Sequence, residues 1–165
     1  MSREFVFAEQ KDAEEFHHFL LRAYASDLKV GIHFVASEAT LEDVTEHLKY
    51  NLCFLMKEEG KIIASCSLRM PWGKQPGPFG LPHIGWLSAD PDRPHQGIGG
   101  EMLSWTEDHV LRDLLKAPAV TLGTAKEHPW LCKMYQSRGY VPIKTANLDQ
   151  DHTTVFFRKD LMEAQ

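Results

Sequence analysis

A glycine turn between an apolar strand and an amphipathic helix constrains this chain most. Ile84-Gly85-Trp86-Leu87 reads as a strand. The turn follows as His95-Gln96-Gly97-Ile98-Gly99-Gly100. Beyond it, Ile98, Met102, Leu103, Thr106, Val110, Leu111 and Leu114 recur on one face of a long helix. The first turn of a helix carries backbone N–H groups with no partner inside the helix, and it is the positive end of the dipole. Glycines let a ligand approach that backbone closely. The combination suits an anionic, phosphate-bearing ligand; a tight turn with no ligand is the plain alternative. Two other phosphate motifs are absent. Gly99 is followed by Gly100-Glu101 rather than Lys-Ser/Thr, and the third glycine of a dinucleotide fingerprint is replaced by Met102.

The rest of the chain reads as short elements around this turn. Glu4–Phe7 is a strand, and Lys11–Ala25 a helix with Ala13, Phe16, Leu20, Ala23 and Tyr24 inward. His17 and His18 point apart on that helix and read as surface or packing residues, not as a metal pair. Thr40 and Asp43 form a capping box that opens a second helix, ending at Tyr50. Asn51–Lys57 and Lys61–Arg69 form a hairpin around Glu58-Glu59-Gly60. Met70–Pro82 is a long connection rich in proline and glycine, of the kind that is often functional. Pro118 ends the long helix. Ala119–Gly123 is a strand, Pro129 opens a helix that Gly139 stops, and strands follow at Tyr140–Ile143 and Thr153–Phe157.

With 165 residues, the chain has room for one domain, residues 1–165. The expected fold is α/β (α+β), with a mixed, mostly antiparallel central sheet flanked by helices. A formal charge of −5 argues against nucleic acid as a partner. No apolar run is long enough to cross a bilayer. Cys53, Cys66 and Cys132 are odd in number and scattered, which reads as reduced thiols in the cytoplasm. No metal site is expected.

The order of elements and two of the motifs resemble the GNAT superfamily of N-acetyltransferases. Leu87-Ser88-Ala89-Asp90-Pro91 is similar to the end of that family's fourth strand, and His95–Gly100 to its pyrophosphate loop. Trp130–Tyr140 is similar to its C-terminal motif, Ala-x-x-Leu-Tyr-x-x-x-Gly-Phe. The chain departs from the pattern in having Pro94 where Gln or Arg is usual, with Arg93 one place early. His128 stands for a frequent Asn, and Leu131 for the small Ala. Proline has no N–H to offer a phosphate.

The resemblance implies acetyl-CoA as co-substrate. His95, Gln96, Gly97, Ile98, Gly99 and Gly100 would hold its pyrophosphate. The backbone of Leu87 and Ala89 would pair with the pantetheine arm, a form of edge augmentation, and His128 would stand beside it. Tyr135 becomes the candidate general acid toward the leaving thiolate, against a plain core tyrosine. His83 is the candidate base, against a surface histidine. Cys132 has no partner histidine in any motif and reads as buried packing. The implied function is acetyl transfer to a primary amine of a small-molecule or peptide acceptor, by direct attack in a ternary complex. An acyl-CoA sensor of the same fold and an unrelated phosphate-binding protein are the alternatives, and a homodimer is left open. The acceptor pocket is expected from Leu28–Ala36, Met70–Pro82 and Thr145–His152.

Overall fold

The computed structural model describes residues 3–25, 38–147 and 153–162. Seven strands form one sheet: β1 (Arg3–Phe7), β2 (Leu52–Glu58), β3 (Lys61–Arg69), β4 (His83–Ala89), β5 (Ala119–Ala125), β6 (Val141–Ala146) and β7 (Thr154–Asp160). Their spatial order is β1-β2-β3-β4-β5-β7-β6. Every neighbouring pair is antiparallel except β4 and β5. The expected mixed, mostly antiparallel sheet is therefore present. The whole of the first expected pocket loop, Leu28–Ala36, lies outside the described residues, as do residues 148–152 of the third.

Local chemistry explains most element ends. The side chain of Thr40 accepts the Asp43 N–H at 3.0 Å, and Asp43 accepts the Thr40 N–H at 2.9 Å. This capping box starts α2 (Leu41–Tyr50). The β2–β3 hairpin turns through Glu59 and Gly60, both at positive φ, as a two-residue turn requires. Helix α1 (Ala13–Ala23) buries Phe16, Phe19 and Leu20. With Val44 and Leu48 of α2 they cover one face of the sheet, against Cys53, Leu55 and Ile62. Helix α3 (Ile98–Trp105) and α4 (Pro129–Ser137) cover the other face.

Helix α3 continues as a π-helical stretch, Thr106–Leu114. This corrects one position of the expected apolar face: Leu114 is exposed. The wider turn is the cause. The Leu115 N–H bonds the Val110 carbonyl, five residues back, so Leu115 packs on the core instead. The same stretch carries buried Glu107, which accepts from the Tyr140 hydroxyl at 2.7 Å and from Lys159 Nζ at 2.8 Å. A buried carboxylate is tolerated when it is paired and hydrogen-bonded in this way.

Candidate active site

The site begins where β4 and β5 part. The two strands pair only at His83↔Thr121 and Ile84↔Leu122. Past those pairs a wedge opens, lined by Gly85 to Ala89 on one side and Gly123 and Thr124 on the other. A bulge in β4 aids the opening. Ser65 and Ser67 of β3 pair with Ser88 and Gly85, so β4 holds one residue more than β3 between those pairs. Trp86, in the bulge, has φ 50°, uncommon for a bulky residue and held here by its neighbours. Its carbonyl accepts the Ser65 hydroxyl at 2.7 Å, and the Leu87 carbonyl accepts the Tyr24 hydroxyl at 2.7 Å. Leu87 thus keeps one carbonyl lone pair for another donor.

The wedge is part of a cavity of about 980 Å³. It gathers His83, Leu87, Ala89, Gly99, His128 and Tyr135 from the residues expected at the site. His95, Gln96, Gly97, Ile98 and Gly100 do not line it. The Ile98 side chain is buried in the core, leaving only its backbone to a ligand. His95 and Gln96 are exposed on the turn. Gly97 is the N-cap of α3 in the left-handed region, at φ 68°. This conformation favours glycine and presents the unpartnered N–H groups of the first helical turn. A Cβ added at Gly99 would meet only Ala89, at 3.7 Å, so the turn folds back onto the end of β4.

Two arginines lie near this turn and are held differently. Arg93 is engaged by two carboxylates. Its Nη1 donates to Glu58 at 2.8 Å and its Nε lies 3.7 Å from Asp90. Arg138, singled out by no local signal, reaches across instead. Its Nη1 donates to Ser104 Oγ at 2.8 Å, and its guanidinium occupies the space a Cβ at Gly100 would need. A cation over the positive end of a helix is unfavourable by itself and becomes favourable with an anion between them.

Tyr135 is buried and lines the cavity, with its ring against Tyr140 and Phe157. Burial pushes its pKa well above the ordinary phenol value, so it remains protonated. Cys132 is half-buried rather than buried, with Sγ 3.9 Å from the Ala125 carbonyl. His83 is not a surface histidine. It is buried, its Nδ1 lies 2.8 Å from Thr121 Oγ1, and loop residue Gly77 packs on its Cβ. Burial, with Arg69 nearby, lowers its pKa to about 4.

Two further cavity residues escaped the sequence. His47 of α2 is buried and stacks on Trp86, with ring centroids 3.7 Å apart and planes 6° apart. Burial and Arg69 lower its pKa to about 4. A polar residue between Val44 and Leu48 on the buried face of a helix was the available signal. Arg69, at the end of β3, also lines the cavity. Among the described residues no group of three or more His, Cys, Asp or Glu is placed to hold a metal ion, and no helix is long and apolar enough to cross a membrane.

Comparison with known proteins agrees with this geometry. The profile of the acetyltransferase (GNAT) family matches residues 12–140. The chain is 47% identical over 161 residues to the S-(2-succino)cysteine N-acetyltransferase of Bacillus subtilis (strain 168), covering 98% of each. It is 35% identical over 137 residues to the S-alkylcysteine N-acetyltransferase of the same organism, covering 82% of this chain and 77% of the relative. In fold it is similar to the ribosomal-protein-S18-alanine N-acetyltransferase from Escherichia coli. That likeness has a TM-score of 0.76 at 16% identity, over 99% of this chain and 97% of the other.

Proposed function

The chain belongs to the acetyltransferase (GNAT) family, and from that premise we propose that the amine it acetylates is the α-amino group of an S-substituted cysteine. It is an acetyl-CoA-dependent N-acetyltransferase. Both relatives are enzymes, which sets the sensor alternative aside. The observation that carries the choice of acceptor is the likeness over 98% of both chains to an enzyme acting on S-(2-succino)cysteine. A second relative, acting on S-alkylcysteine, shares the cysteine part of that acceptor.

The residues present suit the coenzyme. Backbone N–H groups of the turn His95–Gly100 would hold the pyrophosphate, with Arg138 over the first turn of α3 adding the charge that Pro94 and Arg93 do not supply. Leu87 and Ala89 would pair with the pantetheine arm inside the β4–β5 wedge, with His128 beside it. The amine nitrogen then attacks the thioester carbonyl, the C–N bond forms and the C–S bond breaks. Tyr135 gives its phenolic proton to the departing thiolate. Nothing among the described residues hydrogen-bonds to its hydroxyl, so that proton is available. His83, neutral at physiological pH, accepts the proton of the amine, directly or through water. The products are the N-acetyl amino acid and CoA. The three cysteines form no disulfide, which supports a cytoplasmic setting. Sedimentation tests the homodimer that the sequence leaves open.

The test is acetyl-CoA-dependent thiol release over a panel of amines. S-(2-succino)cysteine and S-alkylcysteines should be turned over in preference to lysine, free cysteine and a peptide N-terminus. Preferred turnover of lysine or the peptide would overturn the acceptor.

A further inference from the structure

We infer that Arg69 receives a carboxylate carried on the sulfur substituent of the acceptor. The inference rests on the cysteine-derivative reading above and deepens it. Arg3, Arg22, Arg93, Arg112 and Arg158 each pair with a carboxylate. Arg69 is half-buried and lines the cavity, yet it pairs with no carboxylate among the described residues. Its guanidinium is nevertheless fixed. Nε donates to the Gln75 carbonyl at 2.8 Å and Nη2 to the Pro76 carbonyl at 3.1 Å. A guanidinium has five N–H donors, so most remain for a planar anion, which the fork geometry binds best.

The surroundings favour an anion. His47 and His83 line the same end of the cavity, and both are held uncharged at neutral pH, so Arg69 supplies the charge there. The acidic lining residues, Asp43 and Glu46, are exposed on α2. His47 adds a second observation. Its Nδ1 faces the Asn51 amide nitrogen at 3.3 Å, which places the ring proton on Nε2. That buried Nε2 has no hydrogen-bond partner among the described residues. Asn51 also donates to Gln75 Oε1 at 2.9 Å, tying His47 to the loop that holds Arg69. A buried donor left without an acceptor is costly, and a carboxylate in this part of the cavity would relieve it.

Register decides which carboxylate is meant. Arg69 pairs with His83, four residues before Leu87. That separation is about 13 Å at roughly 3.3 Å per residue. With the thioester held beside Leu87, the α-carboxylate lies two bonds from the attacking amine, too close to it to reach Arg69. A carboxylate on the sulfur substituent lies five or six bonds away, toward Arg69.

The test compares S-(2-succino)cysteine with S-propylcysteine, which is similar in reach and lacks the distal carboxylates. In Arg69→Met the ratio of kcat/KM for the first over the second should fall about 10- to 100-fold, the range for a charge-assisted hydrogen-bonded pair. The loss should appear in KM. Arg69→Lys, which retains a point charge, should fall between. An equal loss on both acceptors would overturn the inference, because it would mean that Arg69 serves the shared amino-acid end or only the loop. A second measurement needs neither turnover nor a folded variant. Succinate should compete with the acceptor and leave acetyl-CoA binding unchanged in the wild-type enzyme. If neither cysteine derivative is a substrate, the acceptor reading fails. Succinate binding to wild type that is lost in Arg69→Met and weakened in Arg69→Lys would then still support a carboxylate site, and its absence from wild type would overturn that too.

Discussion

At the scale of the residue, chemistry here follows from how little water reaches the polar groups. Tyr135 sits among Tyr140, Phe157 and the two thiols that raise its pKa further, Cys66 and Cys132. It therefore holds its proton until a strong acceptor forms beside it, and a thiolate leaving a thioester is one. Tyr135→Phe keeps the ring and its packing but removes the proton. The single-turnover rate of acetyl transfer should then fall by about 10²- to 10⁴-fold, the usual worth of general acid catalysis. Acetyl-CoA affinity and the melting temperature should stay close to wild type. Single-turnover measurement is needed because product release can mask the chemical step. A wild-type rate in Tyr135→Phe would make the tyrosine a packing residue.

At the scale of the element, the strand–turn–helix unit from β4 to α3 was legible, and its supports were not. Gly97 at positive φ, the Thr40–Asp43 box, the Glu59-Gly60 turn and the Pro129 start all obey rules acting over a few residues. The π-helical stretch obeys none of them, so the regular helical period puts Leu114 inward where the fold exposes it. Arg138 lies 34 residues from Ser104 in sequence, and no local pattern announces its place over Gly100. Arg69 meets His47 only after β3, α2 and the loop from Met70 pack together. The turn can be probed without breaking the fold. At Gly99 the backbone is helical and an added Cβ meets only Ala89, in ordinary contact, so Gly99→Val should fold with a similar melting temperature. It should weaken acetyl-CoA binding by about tenfold or more, by obstructing close approach to the helix N-terminus. Unchanged affinity in a folded Gly99→Val protein, measured by calorimetry, would remove the coenzyme from this turn.

At the scale of the molecule, the same burial that tunes the site makes stability depend on pH. His47 and His83 have pKa values lowered from 6.5 to about 4. In the unfolded chain they bind protons below pH 6.5, while in the fold they bind them only near pH 4. Their contribution is therefore complete above pH 6.5 and is lost as pH falls toward 4, by up to roughly 3 kcal/mol each. Urea midpoints should drop between pH 7 and pH 4.5, and His83→Gln should flatten that slope; an equally steep slope in the variant would place its origin elsewhere. The architecture was readable because the strands and helices among the described residues carry their own periodicity and punctuation. The acceptor was not, because the cavity end where we place it is assembled from α2, the end of β3 and β4, segments distant in sequence. The acceptor is also the central claim, and a one-pot competition tests it most directly. Limiting acetyl-CoA is offered to equimolar S-(2-succino)cysteine, S-propylcysteine, lysine and a short peptide, and mass spectrometry reads where the acetyl group lands. The account predicts N-acetyl-S-(2-succino)cysteine as the main product, acetylated on its α-amine. Acetylation chiefly of lysine or of the peptide would contradict it.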